Sequence, residues 1–72
     1  MTKEALLKKV GKNIASIRKQ KGFTRVELAQ RCENSRQNLY RLEMGNQNAS
    51  IDIYYKVAKG LGVPLKDLFD FE

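Results

Sequence analysis

The 72-residue sequence contains no histidine, and it has a single cysteine (Cys32) and a single proline (Pro64). Without histidine the commonest general base and metal ligand is missing, and the eight acidic residues are spread along the chain. One cysteine forms no intrachain disulfide and no paired-thiolate zinc site. With no histidine beside it to activate the thiol, Cys32 reads as a small core side chain rather than a nucleophile. The sequence is therefore that of a non-enzyme, with no metal, no cofactor and no small-molecule substrate expected. No apolar run approaches the roughly 20 residues that a helical membrane span needs. The start, Met1-Thr2-Lys3-Glu4, leads into a charged periodic segment and not into the apolar block of a signal peptide. A cytoplasmic protein without a membrane partner is the expectation. Repeats, low-complexity stretches and Pro/Ser-rich linkers are also lacking, and 72 residues that are 42% hydrophobic suffice for one domain, 1–72, with a small core.

What is present is positive charge, unevenly placed. The net charge is +6. Residues 1–41 hold eleven basic and three acidic residues (+8), whereas residues 42–72 hold three and five (−2). A chain so divided has a basic side that attracts a polyanion, because each neutralised phosphate releases condensed counterions. The competing reading of the same charge is a well-solvated surface.

Hydrophobic spacing, capping residues and glycine stops predict an all-α domain of five helices, at about 3–21, 24–32, 35–44, 50–61 and 64–69. The first carries Leu6, Val10, Ile14 and Ile17 as one apolar stripe and ends at Gly22. Thr24 caps the second, with Glu27 at the position that completes a capping box, and Leu28, Ala29 and Cys32 face inward. Ser35 caps the third, whose Leu39 and Leu42 face the core and whose stop is Gly45. Ser50 caps the fourth, with Asp52 near its N-terminus and Ile51, Tyr54, Val57, Ala58 and Leu61 on the inner side. Pro64 opens the last short helix, in which Leu65, Leu68 and Phe69 are apolar; Phe71 lies beyond it.

The second and third helices are short and joined by a very short turn, so they cross steeply instead of packing antiparallel. A close crossing wants a small residue at Ala29, although a lone alanine is also simply a good helix former. On the third helix, roughly 100° per residue sets Leu39 and Leu42 against an opposite face of Arg36, Gln37, Tyr40 and Arg41. Arginine forks onto guanine O6 and N7, glutamine onto adenine N6 and N7, and a tyrosine ring meets a thymine methyl or a phosphate. Such a face is also compatible with surface decoration. Its position behind a tight turn, between a capping box and a glycine stop, makes the DNA-reading interpretation the more specific one.

From about residue 10 to residue 69 the chain resembles the Cro and phage-repressor (XRE-type) helix-turn-helix family. The resemblance is carried by Gly11-Lys12-Asn13-Ile14, by the run from Arg18 to Thr24, and by Glu27-Leu28-Ala29. It continues through the run from Ser35 to Gly45 and through Lys56-Val57-Ala58-Lys59-Gly60-Leu61-Gly62-Val63. It implies a third helix in the major groove, with Arg36, Gln37 and Arg41 at base-reading positions and Asn38 and Tyr40 as secondary candidates. It implies phosphate contacts from Thr24, Arg25 and Ser35 and from the loop Asn46, Gln47 and Asn48; such contacts position the protein without specifying sequence. Arg18 and Glu43 match a structural ion pair of that family. At the turn, the position usually held by glycine is Glu33, followed by Asn34. Either Glu33 adopts the left-handed conformation at a cost of roughly 1 kcal/mol, or Asn34 takes it and the turn shifts by one residue.

One recognition helix reads few bases, so a homodimer on two half-sites roughly 34 Å apart is expected. A core this small does not bury every apolar residue near the C-terminus. Tyr55, Leu65, Leu68, Phe69 and Phe71 are therefore assigned to a dimer interface, the alternative being closure of the monomer core. The function read from the sequence is a transcriptional regulator that binds a pseudo-palindromic duplex operator, of controller or repressor type. An antitoxin or a protein-interaction adaptor on the same fold is the alternative. Against the antitoxin stands the end at Glu72, without a toxin-wrapping tail. The adaptor would want an apolar or acidic face where Arg36, Gln37 and Arg41 stand, and an RNA binder would want more exposed aromatics than Tyr40.

Overall fold

The computed structural model describes residues 1–71; Glu72, the last residue of the expected domain, lies outside them. Four α-helices are formed: α1 (Lys3–Gln20), α2 (Arg25–Arg31), α3 (Arg36–Glu43) and α4 (Ile51–Leu61). The fifth expected helix is a 3₁₀ turn, Leu65–Phe69, and no strand occurs among the described residues. Each α-helix starts at a hydroxyl that accepts a backbone N–H three residues on: Thr2 from Ala5, Thr24 from Glu27, Ser35 from Asn38 and Ser50 from Ile53. At α2 the box is complete, since the Thr24 N–H donates to Glu27 Oε1 at 2.9 Å. The Thr24 backbone and hydroxyl hold the Glu27 carboxyl below its ordinary range.

All four α-helices end the same way. The residues after the helix ends, Gly22, Glu33, Gly45 and Gly62, are left-handed, with φ of 81°, 55°, 74° and 77°. The next residue then reaches back five positions: Phe23 N–H to Arg18 O, Asn34 to Ala29, Asn46 to Arg41 and Val63 to Ala58. This is the Schellman stop, which satisfies carbonyls that the helix leaves open. It settles the question at the helix-turn-helix corner. Glu33 takes the left-handed conformation because the stop requires it directly after the C-cap Cys32. Asn34 serves the next helix instead, its Oδ1 accepting from the Ser35 N–H (2.8 Å) and from Asn38 Nδ2 (3.1 Å). Glu33→Gly is expected to stabilise the domain by roughly 0.5–1 kcal/mol, the relief of φ outweighing the added freedom of the unfolded chain. A urea midpoint at or below that of the parent would refute this.

The core joins Val10 and Ile14 of α1, Leu28, Ala29 and Cys32 of α2 and its C-cap, and Leu39 and Leu42 of α3. Tyr54, Val57, Ala58 and Leu61 of α4 and Leu68 complete it. α1 crosses the end of α3 at Gly11, where a methyl group would overlap the carbonyl oxygens of Leu42 and Glu43. The 3₁₀ turn is tied back onto α1 by Asn13, whose Nδ2 donates to the carbonyls of Asp67 (2.8 Å) and Leu68 (2.9 Å). Arg31 ties α2 to α4 through Nε and the Gly60 carbonyl at 2.7 Å, with its guanidinium over the Phe23 ring.

Three expectations about apolar faces are corrected. Leu6 is exposed, because an 18-residue helix is about 27 Å long in a molecule whose largest extent is 31 Å, and its first turns outrun the core. Ile17 only flanks the core, and Arg18 takes the buried place beside it. Ile51, in the first turn of α4, is exposed together with Tyr55 one turn further on.

Candidate nucleic-acid interface

Because Leu39 and Leu42 are pulled into the core, α3 turns Arg36, Gln37, Tyr40 and Arg41 outward, and all four are exposed. Asn38 is half-buried and its Nδ2 is engaged by Asn34, so its side chain belongs to the corner as much as to the outer face. Ser35 and Thr24 are exposed N-caps whose oxygens accept backbone N–H groups; each keeps a hydroxyl proton to donate.

Arg25, the first residue of α2, stands across from α3, and its guanidinium carbon lies 5.1 Å from the centroid of the Tyr40 ring. Arg25, Arg36, Gln37 and Tyr40 together line an open groove of about 470 Å³. Beneath it, Arg25 Nε donates to Glu43 Oε1 at 3.0 Å. Glu43 also receives Arg18, Nε to Oε2 at 2.7 Å and Nη2 to Oε1 at 3.3 Å, while Arg18 Nη1 donates to the Phe23 carbonyl at 2.8 Å. The Glu43 side chain is 2% exposed and that of Arg18 is 7% exposed, against 42% for Arg25. One buried carboxylate thus gathers α1, the start of α2 and the end of α3. The contact of Arg25 with Glu43 and Tyr40 had no signature in the spacing: Arg25 stands on α2 and both partners on α3, and only the fold brings them together.

In the loop after α3, Asn46 and Asn48 are exposed. Gln47 is turned partly inward, its Oε1 enclosed and without a hydrogen-bond partner. Cys32 is buried, and burial pushes its thiol pKa up, which keeps it protonated and inert. No group of histidine, cysteine and carboxylate residues able to hold a metal ion occurs among the described residues, and no described helix is long and apolar enough to cross a membrane.

The residues assigned to a partner face divide. Tyr55 and Phe69 are exposed, and Phe69 meets Tyr54 edge-to-face at 5.6 Å. Leu65 and Phe71 are partly buried against the core. Leu68 is corrected: it is fully buried within this chain's own core and has no surface to offer a partner, because Asn13 draws the 3₁₀ turn down onto α1.

Two short helices joined by a tight turn, with an exposed face of long hydrogen-bond donors on the second, define the helix-turn-helix class of transcriptional regulators. The helix-turn-helix family model HTH_3 matches residues 14–68, and the chain belongs to that family. The HTH-type transcriptional regulator y4dJ of Sinorhizobium fredii is 41% identical over 56 residues, 78% of this chain and 73% of that protein. Control protein C.BamHI of Bacillus amyloliquefaciens is 37% identical over 62 residues, covering 85% and 76%. The crystal structure of the restriction-modification controller protein C.AhdI from Aeromonas hydrophila superposes with a TM-score of 0.88 at 29% identity, covering 90% of this chain and 98% of that one. These relatives are regulators, not enzymes.

Proposed function

We propose that this protein is a cytoplasmic transcriptional regulator of controller or repressor type, which reads a pseudo-palindromic duplex operator as a homodimer. The observation that carries the reading is the outer face of α3: Arg36, Gln37 and Arg41 exposed directly opposite the buried Leu39 and Leu42. Arg36 and Gln37, in the first turn, have the reach and the paired donors or acceptors for base edges in the major groove. Thr24, Arg25, Ser35, Asn46 and Asn48 surround that face as phosphate partners, and Gln47 contributes less because its amide is partly enclosed. Arg36, Gln37 and Arg41 belong to the basic first part of the chain, whereas Tyr55 and Phe69, from the net-acidic part, supply exposed apolar surface for the second copy. The likeness to restriction-modification controllers, which covers nearly the whole of C.AhdI, supports a controller role.

Selection of random duplex DNA on the purified protein at about 150 mM salt, where non-specific phosphate binding is already weakened, tests the reading. The expected product is a two-fold-related site with half-sites about one helical turn apart. Recovery of no preferred sequence would overturn it. On that site Arg36→Ala or Gln37→Ala is expected to cost about 1–3 kcal/mol and to relax preference at one base pair per half-site. Unchanged base preference in both variants, measured by competition with single-base operator variants, would show that the face is wrongly assigned.

A further inference from the structure

We infer that Arg25 is a preorganised phosphate fork built onto the recognition helix, so that it sets base discrimination as well as affinity. The inference rests on the operator-reading function proposed above and names how α2 and α3 act together within it. Three features of the guanidinium carry it. Its Nε is spent on Glu43 at 3.0 Å, which fixes the edge of the group that faces the protein. The group lies over the Tyr40 ring, its guanidinium carbon 5.1 Å from the centroid. Its two Nη groups make no hydrogen bond among the described residues, and the side chain is 42% exposed at the mouth of the groove it shares with Arg36 and Gln37. A guanidinium held by Nε and placed over a ring presents its remaining edge, Nη1 and Nη2, as a two-pronged donor, the geometry that matches two oxygens of a phosphate.

Tyr40 accordingly has a different part from a base-reading side chain. With one ring face covered by Arg25, it is the platform that links the phosphate contact of α2 to the helix that carries Arg36 and Gln37. Both supports of the fork, Tyr40 and Glu43, stand on α3. A phosphate seated on Arg25 therefore fixes the depth and rotation of α3, and with them the reach of Arg36 and Gln37 to the bases. A free phosphate-binding arginine would add attraction alone, equally for every duplex.

The test compares the parent protein with Arg25→Lys, Tyr40→Phe and Tyr40→Ala, on the selected operator, on an operator altered at one base pair per half-site and on an unrelated duplex, over a series of salt concentrations. Circular dichroism melts establish that each variant is folded. Lysine keeps the charge but has neither the fork nor the flat face, so Arg25→Lys is expected to lose at least five-fold of the discrimination between operator and altered operator, with the salt slope on the unrelated duplex unchanged. Tyr40→Phe keeps the ring under Arg25 and is expected to retain the discrimination between operator and altered operator that Tyr40→Ala loses. Tyr40→Ala is expected to reproduce the loss, and Arg25→Lys combined with Tyr40→Ala to lose no more than either alone. Discrimination fully retained in Arg25→Lys would overturn the inference while leaving the operator-reading function intact. If the parent itself prefers no duplex, both fall.

Discussion

Replacing Glu43 by alanine is expected to destabilise the domain by about 3–5 kcal/mol, because it leaves a buried guanidinium without its counter-charge. Arg18 sits with its side chain 7% exposed and makes two of its three hydrogen bonds to the Glu43 carboxylate. Once that carboxylate is gone the arginine must stay buried unpaired or drag water and its helix outward. Arg25 loses its anchor at the same time, but being 42% exposed it is readily solvated and adds little to the cost. A loss of that size is a large fraction of the roughly 5–15 kcal/mol that holds a small domain folded. Urea unfolding followed by circular dichroism is the measurement, and a change below about 1 kcal/mol would contradict the assignment of Glu43 as the charge that compensates buried Arg18. The paired replacement Arg18→Met with Glu43→Leu removes both buried charges together and is expected to recover most of the loss. The pair therefore bears on how the helices are arranged more than on how stable they are, since α1, α2 and α3 meet at one carboxylate.

The helices were legible because the sequence states their ends. Thr24, Ser35 and Ser50 are caps, and Gly22, Gly45 and Gly62 are left-handed stops, so chemistry local to a few residues determines each boundary. The same logic held at the corner, where Glu33 occupies the place of glycine and accepts the strain. The outward face of α3 was legible for a similar reason: once Leu39 and Leu42 are inside, helical geometry determines where Arg36, Gln37 and Arg41 stand. Legibility ends where contact depends on how far one element runs past another. Leu6 follows the apolar period of α1 yet lies beyond the core, and Leu68 follows the pattern of a surface strip yet is drawn inside by Asn13. Arg25 carries no local sign that its guanidinium will lie on Tyr40 and against Glu43, since each partner arrives from another helix. The Arg18–Glu43 pair came from family resemblance, not from spacing.

Gly11→Ala is expected to destabilise the domain by about 3 kcal/mol or more, against the ordinary trend in which alanine improves a helix by roughly 1 kcal/mol over glycine. The reason is the crossing of α1 over the end of α3. A methyl at residue 11 would occupy the space of the Leu42 and Glu43 carbonyl oxygens and come within 2.8 Å of the Glu43 carbonyl carbon. Side chains yield by changing rotamer, but these are main-chain atoms of the last turn of α3, and they move only if the helix moves. The displaced turn carries Glu43, so the same substitution pulls on the Arg18 and Arg25 contacts and tilts the face that holds Arg36 and Gln37. Two readouts separate the outcomes. Chemical unfolding gives the stability change, and a variant as stable as the parent would mean that the crossing is looser than described. Operator affinity measured under conditions in which the variant is fully folded reports the tilt: a loss beyond that of the unrelated duplex is expected, since the base-reading residues of α3 are displaced.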